Sequence, residues 1–241
     1  QFGLDRLALM RHGVDDIREI SSPAKVTGTV IAGLVLVYFG ATMFYFRVPF
    51  LDVFVLSNDW IPLITILWLM GMSQAINLID GLDGLAAGIV AIAAASFFLY
   101  SRRLDDLGAL AQPNMGPLIA IIALGVCLGF LPHNFHPARI FMGDSGSMFL
   151  GLLLASAAIT LTGQVDPNAI SAESRGPTLL PLLLPFAVLA IPLVDLLLAV
   201  GRRVKAGKSP FAPDNEHLHH RLLSAGNSQL KTAFILYMWT A

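Results

Sequence analysis

Charge is scarce in this chain: only 13% of its 241 residues are Asp, Glu, Lys or Arg, against 56% hydrophobic, and the mean hydropathy is +0.72. So few charges cannot coat a water-soluble surface, which excludes an ordinary soluble fold and leaves a membrane protein. The net charge of −1 and the pI near 6.6 exclude a broad basic footprint, so no nucleic-acid partner is expected. Cysteine is nearly absent, with Cys127 the only one. That excludes an internal disulfide and a thiolate zinc cluster, and the apolar run around Cys127 marks an inert buried thiol. No GxxxxGK[ST] loop is present, which removes P-loop nucleotide chemistry. A signal-peptide core is also missing from the opening QFGLDRLALMRHGVDD, so the start reads as a cut. The end reads as a cut too, because TAFILYMWTA stops about ten residues into a span that needs about twenty.

Long apolar runs are what the chain has in abundance. Six are expected to cross a bilayer: Thr27 to Phe46, Trp60 to Ile79, Leu85 to Ser101, Gly116 to Leu131, Met148 to Thr162 and Pro177 to Val200, with a partial seventh from Leu230. None alternates with the period of two that a membrane barrel requires, so the expected fold is an all-α polytopic bundle forming one integral-membrane domain over residues 1–241. With six crossings the loops alternate between two sides. One side collects Arg6, Arg11, Arg18, Lys25, Arg139, Arg202, Arg203, Lys205, Lys208 and Arg221; the other has only Arg47, Arg102, Arg103 and Arg175. The excess places the first side in the cytoplasm.

Four polar clusters fall on that same side: GVDDIRE, NLIDGLDG, HNFHPARIFMGDSGS and KSPFAPDNEHLHHRLL. Polar residues present only for solubility would decorate both sides, so the one-sidedness points to a single composite site. In NLIDGLDGLAAG, Asn77, Asp80 and Asp83 recur every third residue and are expected to share a helical stripe, with Gly81 and Gly84 allowing a close approach. Two like charges this close need a cation; the plainer alternative is an Asp capping a helix end. In FMGDSGS, Asp144 is the expected metal ligand, whereas Ser145 and Ser147 read as helix N-caps. Carboxylate oxygens completed by phosphate and water suit Mg²⁺, with Mn²⁺ as a substitute. Phe141 can stack on a base or anchor at the interface.

His217, His219 and His220 stand in a basic loop; their spacing is a poor zinc signature without a third ligand, and phosphate or substrate contact ranks above it. Asp195 lies inside a span, as a partner for a His or Lys or as one half of a structural pair with Arg202. Lys25 and Arg139 can contact phosphate or only set topology. Carboxylates for a cation, cations for phosphate oxygens and glycines for close approach together suggest phosphoryl transfer at a membrane surface. A transporter would instead place polar residues at mid-membrane depth, where Asp195 is nearly alone.

NLIDGLDGLAAG, FMGDSGS and SPFAPDNEHLHHRLL, in this order between apolar spans, resemble the polyprenyl-phosphate N-acetylhexosamine-1-phosphate transferases, the WecA/MraY family, from about Asp15 to Leu223. The resemblance implies a Mg²⁺-dependent reaction of a UDP-N-acetylhexosamine with polyprenyl phosphate, giving a polyprenyl diphospho-sugar and UMP. It implies that Asp15 and Asp16 hold the place of paired acids near the lipid phosphate. Asp80 and Asp83 take that of nucleotide and catalytic carboxylates, and Asp144, with Asp83, that of the metal ligands. Phe141 matches an aromatic that stacks on uracil, with Asn134 beside it and Asn77 in the same nucleotide-sugar site, and the three histidines match a motif that contacts the diphosphate or sugar. The form HLHH is similar to the branch that uses UDP-GlcNAc for surface polymers, more than to the branch that transfers phospho-MurNAc-pentapeptide. Association as a homodimer is compatible with all of this. One departure stands out: RHG, Arg11 to Gly13, precedes the paired acids where the family has an apolar span.

Overall fold

The structure, a computed structural model, describes residues 22–42, 45–47, 53–55, 57–106, 108, 110, 113–162, 190–205, 207 and 222–240. Within them the chain forms α1 (Ser22–Tyr38), β1 (Tyr45–Arg47), β2 (Val53–Val55), α2 (Ile61–Ile79), α3 (Leu85–Asp106), α4 (Gly116–Asn134), α5 (Gly143–Thr162), α6 (Ala190–Lys205) and α7 (Gln229–Thr240). Among the described residues α2, α3, α4 and α5 are each long and apolar enough to cross a membrane, and α1 is a shorter apolar helix. The expected all-α polytopic architecture is what the chain adopts. Among the described residues it adds a small antiparallel ladder of β1 and β2, in which Phe46 is registered opposite Phe54.

Several helix ends differ from the apolar runs, each for a local reason. The first run continues to Phe46, yet α1 stops at Tyr38. Gly40 takes a φ of +86°, its N–H reaches the Val37 carbonyl, and the Ala41 N–H reaches that of Leu36. This paired closure needs a left-handed residue just past the helix, and glycine adopts it without steric cost. In the other direction α4 runs through Pro132 to Asn134, and the Phe135 N–H donates to the Leu131 carbonyl at 2.7 Å to close its last turn. α5 starts at Gly143, five residues before the apolar run begins at Met148, and so takes Asp144 into its first turn. The sixth expected span falls partly on α6; its residues 177–189 lie outside the described residues.

α3 and α5 form the middle of the bundle, with 61% of each apolar window buried, whereas α4 buries only 22% and presents most of its surface outward. α3 packs on α4 and α7, and α2 on α1, α5 and α6. Small residues set the spacing. Ala86, Ala87, Ala93 and Ala94 on α3 are all but fully buried. A Cβ added at Gly151 of α5 would stand 2.7 Å from the Ser73 Cα and 2.8 Å from the Met72 carbonyl oxygen of α2, so these two backbones touch. Several hydroxyls inside the bundle are satisfied by their own helices, whereas Ser73 of α2 donates to the Met148 carbonyl of α5 at 2.9 Å. Thr65 donates to the Ile61 carbonyl, Ser96 to Ile92 and Ser156 to Leu152, each one turn back, so these polar atoms need no water in the hydrocarbon layer.

Candidate active site

Consecutive long helices alternate in direction, so the C-termini of α2 and α4 and the N-termini of α1, α3 and α5 gather at one end of the bundle. Side-chain contacts tie this end together. Lys25 at the start of α1 pairs with Asp144 in the first turn of α5, with 19% and 44% of the two side chains exposed. The Ser147 hydroxyl stands 2.8 Å from Asn77 Oδ1 in the last turns of α2 and 3.0 Å from the Gly143 carbonyl oxygen. It is therefore a link between helices, and the expected cap role for Ser147 gives way to it. Ser145 is exposed in the same first turn.

The three-residue spacing of Asn77, Asp80 and Asp83 does not produce one helical stripe. α2 ends at Ile79, with Asp80 as its C-cap at φ −74°, ψ +52°, and α3 begins at Leu85. Gly84 at φ +75° makes the tight reversal between them, a backbone region that side-chain-bearing residues avoid. Asp80 and Asp83 thus stand in an interhelical turn, and Asn77 stays on the helix beneath them.

A second loop closes over this turn. After α4 ends, the N–H groups of Arg139 and Ile140 both donate to the His133 carbonyl, folding residues 133–140 back on themselves. The fold brings the Ala138 N–H to 3.1 Å from Asp83 Oδ2 and His136 Nδ1 to 2.8 Å from the same oxygen. Asp83 keeps 19% of its side chain exposed and His136 38%. Asn134, 3% exposed, accepts the Gly84 N–H at Oδ1 and donates from Nδ2 to the Ile140 carbonyl. One buried amide therefore joins the two loops.

Phe141 is half exposed beside this loop and Arg139 is exposed within it. Asp15, Asp16, His217, His219 and His220 lie outside the described residues, as does the side chain of Asp195 on α6. The structure thus brings Asp83 together with the loop from Asn134 to Ile140, and Asp144 together with Lys25, Asn77 and Ser147. Two participants were not singled out in the sequence. His136 sits inside a polar cluster that was recognised, but nothing local ties it to an acid 53 positions earlier. Tyr237 donates its hydroxyl to the Gly84 carbonyl at 2.6 Å; its only signal was a phenol in an apolar run, which needs an acceptor somewhere.

Among the described residues no three His, Cys, Asp or Glu side chains converge as a metal cage. Mg²⁺ does not require one, since one or two carboxylates with water and phosphate complete its shell. Asp144 fits that part: it is partly exposed, stands where the helix dipole favours an anion, and already carries a cation, the Lys25 ammonium.

A helical membrane bundle that holds Asp83, Asp144, His136 and Lys25 in the loops and helix termini of one end is a polytopic membrane protein with a polar site at the edge of its apolar core. Residues 7–162 match glycosyl transferase family 4, and the chain belongs to that family. It is 42% identical over 229 residues to a decaprenyl-phosphate N-acetylglucosaminephosphotransferase of Mycobacterium tuberculosis, covering 94% of this chain and 57% of that protein. It is 34% identical over 226 residues to a probable undecaprenyl-phosphate N-acetylglucosaminyl 1-phosphate transferase of Bacillus subtilis, covering 93% and 58%. To a phospho-N-acetylmuramoyl-pentapeptide-transferase of Staphylococcus haemolyticus it is 32% identical over 195 residues, covering 81% and 53%. The chain spans a little over half the length of each of these relatives.

Proposed function

We propose that this chain belongs to an enzyme that transfers GlcNAc-1-phosphate from UDP-GlcNAc to polyprenyl phosphate, releasing UMP and starting a lipid-linked surface polymer. The observation that carries the reading is the placement of three polar pairs, Lys25 with Asp144, Asp83 with His136 and Asn77 with Ser147, at one end of an otherwise apolar bundle. One substrate dissolves in the bilayer and the other in water, and helix termini at the bilayer boundary are where both can arrive. The names of the relatives at 42% and 34% identity support a polyprenyl phosphate as the acceptor and an N-acetylglucosamine phosphate as the group transferred. The excess of Lys and Arg in the loops on this side supports a cytoplasmic site.

In the reaction a lipid phosphate oxygen bonds to the sugar-linked phosphorus of the donor, and the bond between that same phosphorus and the bridging oxygen breaks, so that UMP leaves carrying the bridging oxygen. A phosphate monoester with a second pKa of about 6 is roughly nine-tenths dianionic at pH 7, so removing its proton is a small part of the barrier. Bringing a dianion to a diphosphate is the larger part. A divalent cation, Mg²⁺ or Mn²⁺, would be held by Asp144 with Asp83 and would neutralise the diphosphate charge. Lys25, released from Asp144, reaches phosphate oxygens, and Arg139 adds a second cation at the rim. Phe141 offers a ring face for uracil, and Asp80 and Asn77 offer acceptors to the nucleotide sugar. The acids Asp15 and Asp16 are assigned to the lipid phosphate, and His217, His219 and His220 to the diphosphate or sugar.

The test is to incubate the intact protein in detergent with polyprenyl phosphate, Mg²⁺ and radiolabelled UDP-GlcNAc, with UDP-MurNAc-pentapeptide in parallel. Lipid-linked label from UDP-GlcNAc with stoichiometric UMP is the expected result. Label only from the pentapeptide donor would keep the reaction and change the sugar. Label from neither, with solute uptake in vesicles, would replace the transferase with a transporter. UMP exchange into UDP-GlcNAc without lipid would replace direct attack with a covalent enzyme intermediate.

A further inference from the structure

Gly84 is held by more than the backbone hydrogen bonds around it. At φ +75° it sits in a basin that glycine leaves readily, because no Cβ opposes rotation. Asp83 precedes it, so any rotation there would move the carboxylate against the loop that it binds. Two side chains from different helices hold the residue on both flanks. Asn134 of α4 accepts the Gly84 N–H at 3.1 Å, which fixes the peptide joining Asp83 to Gly84. The Tyr237 hydroxyl of α7 donates to the Gly84 carbonyl at 2.6 Å, which fixes the peptide joining Gly84 to Leu85. Both φ and ψ are therefore restrained from outside.

The tyrosine is not needed to satisfy that carbonyl, which already accepts the Gly88 N–H at 2.8 Å as the first hydrogen bond of α3. The hydroxyl takes the second lone pair. The ring is seated as closely as the hydroxyl: a Cβ added at Gly88 would lie 2.3 Å from its Cζ and hydroxyl oxygen. Phe234 meets the Tyr237 ring edge-on at 6.0 Å and the Phe135 ring at 6.2 Å, so α7 also braces the C-cap of α4.

We propose that Tyr237 is a positioning residue for the transfer reaction, holding the Gly84 peptide so that Asp83 keeps its orientation toward His136 and Ala138. This rests on the reading of Asp83 as part of the transfer site. Tyr237 touches neither substrate; its loss loosens a group needed at the transition state and leaves substrate binding alone.

The experiment uses the intact protein in detergent, comparing wild type with Tyr237→Phe, which keeps the ring and loses the hydroxyl. One measurement is steady-state transfer from UDP-GlcNAc to polyprenyl phosphate, and the other is amide hydrogen exchange over residues 80–90. Removing one hydrogen bond is expected to lower kcat about fivefold, with KM for both substrates within about twofold and with faster exchange over that segment. Gly88→Ala, which displaces the ring, is expected to give the same pattern. A Tyr237→Phe protein with wild-type kcat overturns the proposal, because ring packing alone is unchanged in it. A lower kcat with unchanged exchange overturns it as well, since the loss then arises elsewhere. If the wild type transfers nothing, the transferase reading fails, and exchange alone decides the clamp: faster in Tyr237→Phe keeps it, equal removes it.

Discussion

α4 carries an asparagine at each end, and the two do the same chemistry in different company. Asn114, just before the helix, accepts the Gly116 N–H at 2.7 Å and donates to the Thr160 carbonyl of α5 at 3.0 Å. Asn134, in the last turn, accepts the Gly84 N–H and donates to the Ile140 carbonyl. Each spends one acceptor and one donor on backbone groups that two separate segments would otherwise leave unpaired. At the Asn114 end only closure is achieved: a helix start is capped and α5 is tied to α4. At the Asn134 end the same strut lies beneath Asp83 and His136, with Lys25 and Asp144 on the neighbouring helices. A buried amide is therefore no sign of function by itself; what it supports is.

The comparison breaks most readily at the charges. Asp144→Asn is expected to lower UMP release on the order of a thousandfold at saturating Mg²⁺, whereas Asp106→Asn, exposed at the other end of the bundle, should leave the rate within about twofold. The loss in Asp144→Asn should also exceed that in Asp15→Asn at pH 8, where the lipid phosphate is already a dianion; equal losses across pH 6 to 9 would count against that ranking.

Next comes His136→Ala, which removes the ring partner of Asp83 and is expected to cost about ten- to a hundredfold in turnover without a matching fall in the thermal midpoint. The asparagines themselves sharpen the contrast. Asn134→Ala and Asn114→Ala should each destabilise the protein by about 1–3 kcal/mol in thermal unfolding, but only Asn134→Ala should lower kcat in the protein that remains folded.

Smaller effects belong to the interior between the two ends. Gly151→Ala puts a methyl group against the backbone of α2 and should cost about 1–3 kcal/mol. Gly125→Ala, which meets nothing within 4 Å, should be neutral or slightly stabilising.

Much of the architecture was legible because the bilayer asks one simple thing of a sequence, a long apolar run, and α2 matches its run to within a residue. Helix ends were less legible, since they depend on backbone states such as that of Gly40 and on whether a polar residue is absorbed into the first turn, as Asp144 is. The site was readable as a set of clusters and not as a set of contacts. Asn77 and Asp144 were both recognised, yet Ser147, which touches Asn77, reads locally as a cap. The runs ending at Ile79 and beginning at Leu85 already bracketed the turn in NLIDGLDG, but its three polar residues were read as one helical stripe because spacing by threes suits a helical face as well as a glycine-bounded reversal. His136 and Tyr237 reach across 53 and 153 positions to their partners, and no local pattern encodes such distances.

The fit of Tyr237 against Gly88 also constrains the order in which this protein can change. Gly151 faces backbone, and no single exchange of a neighbouring side chain makes room beside it. Gly88 faces only the far end of a ring, so its contact can be relieved from the other helix. A lineage that shortens Tyr237 first opens the space, and residue 88 is then free to grow; the opposite order passes through an intermediate in which the ring is expelled. The pair should therefore vary together among descendants, with the change on α7 preceding the one on α3.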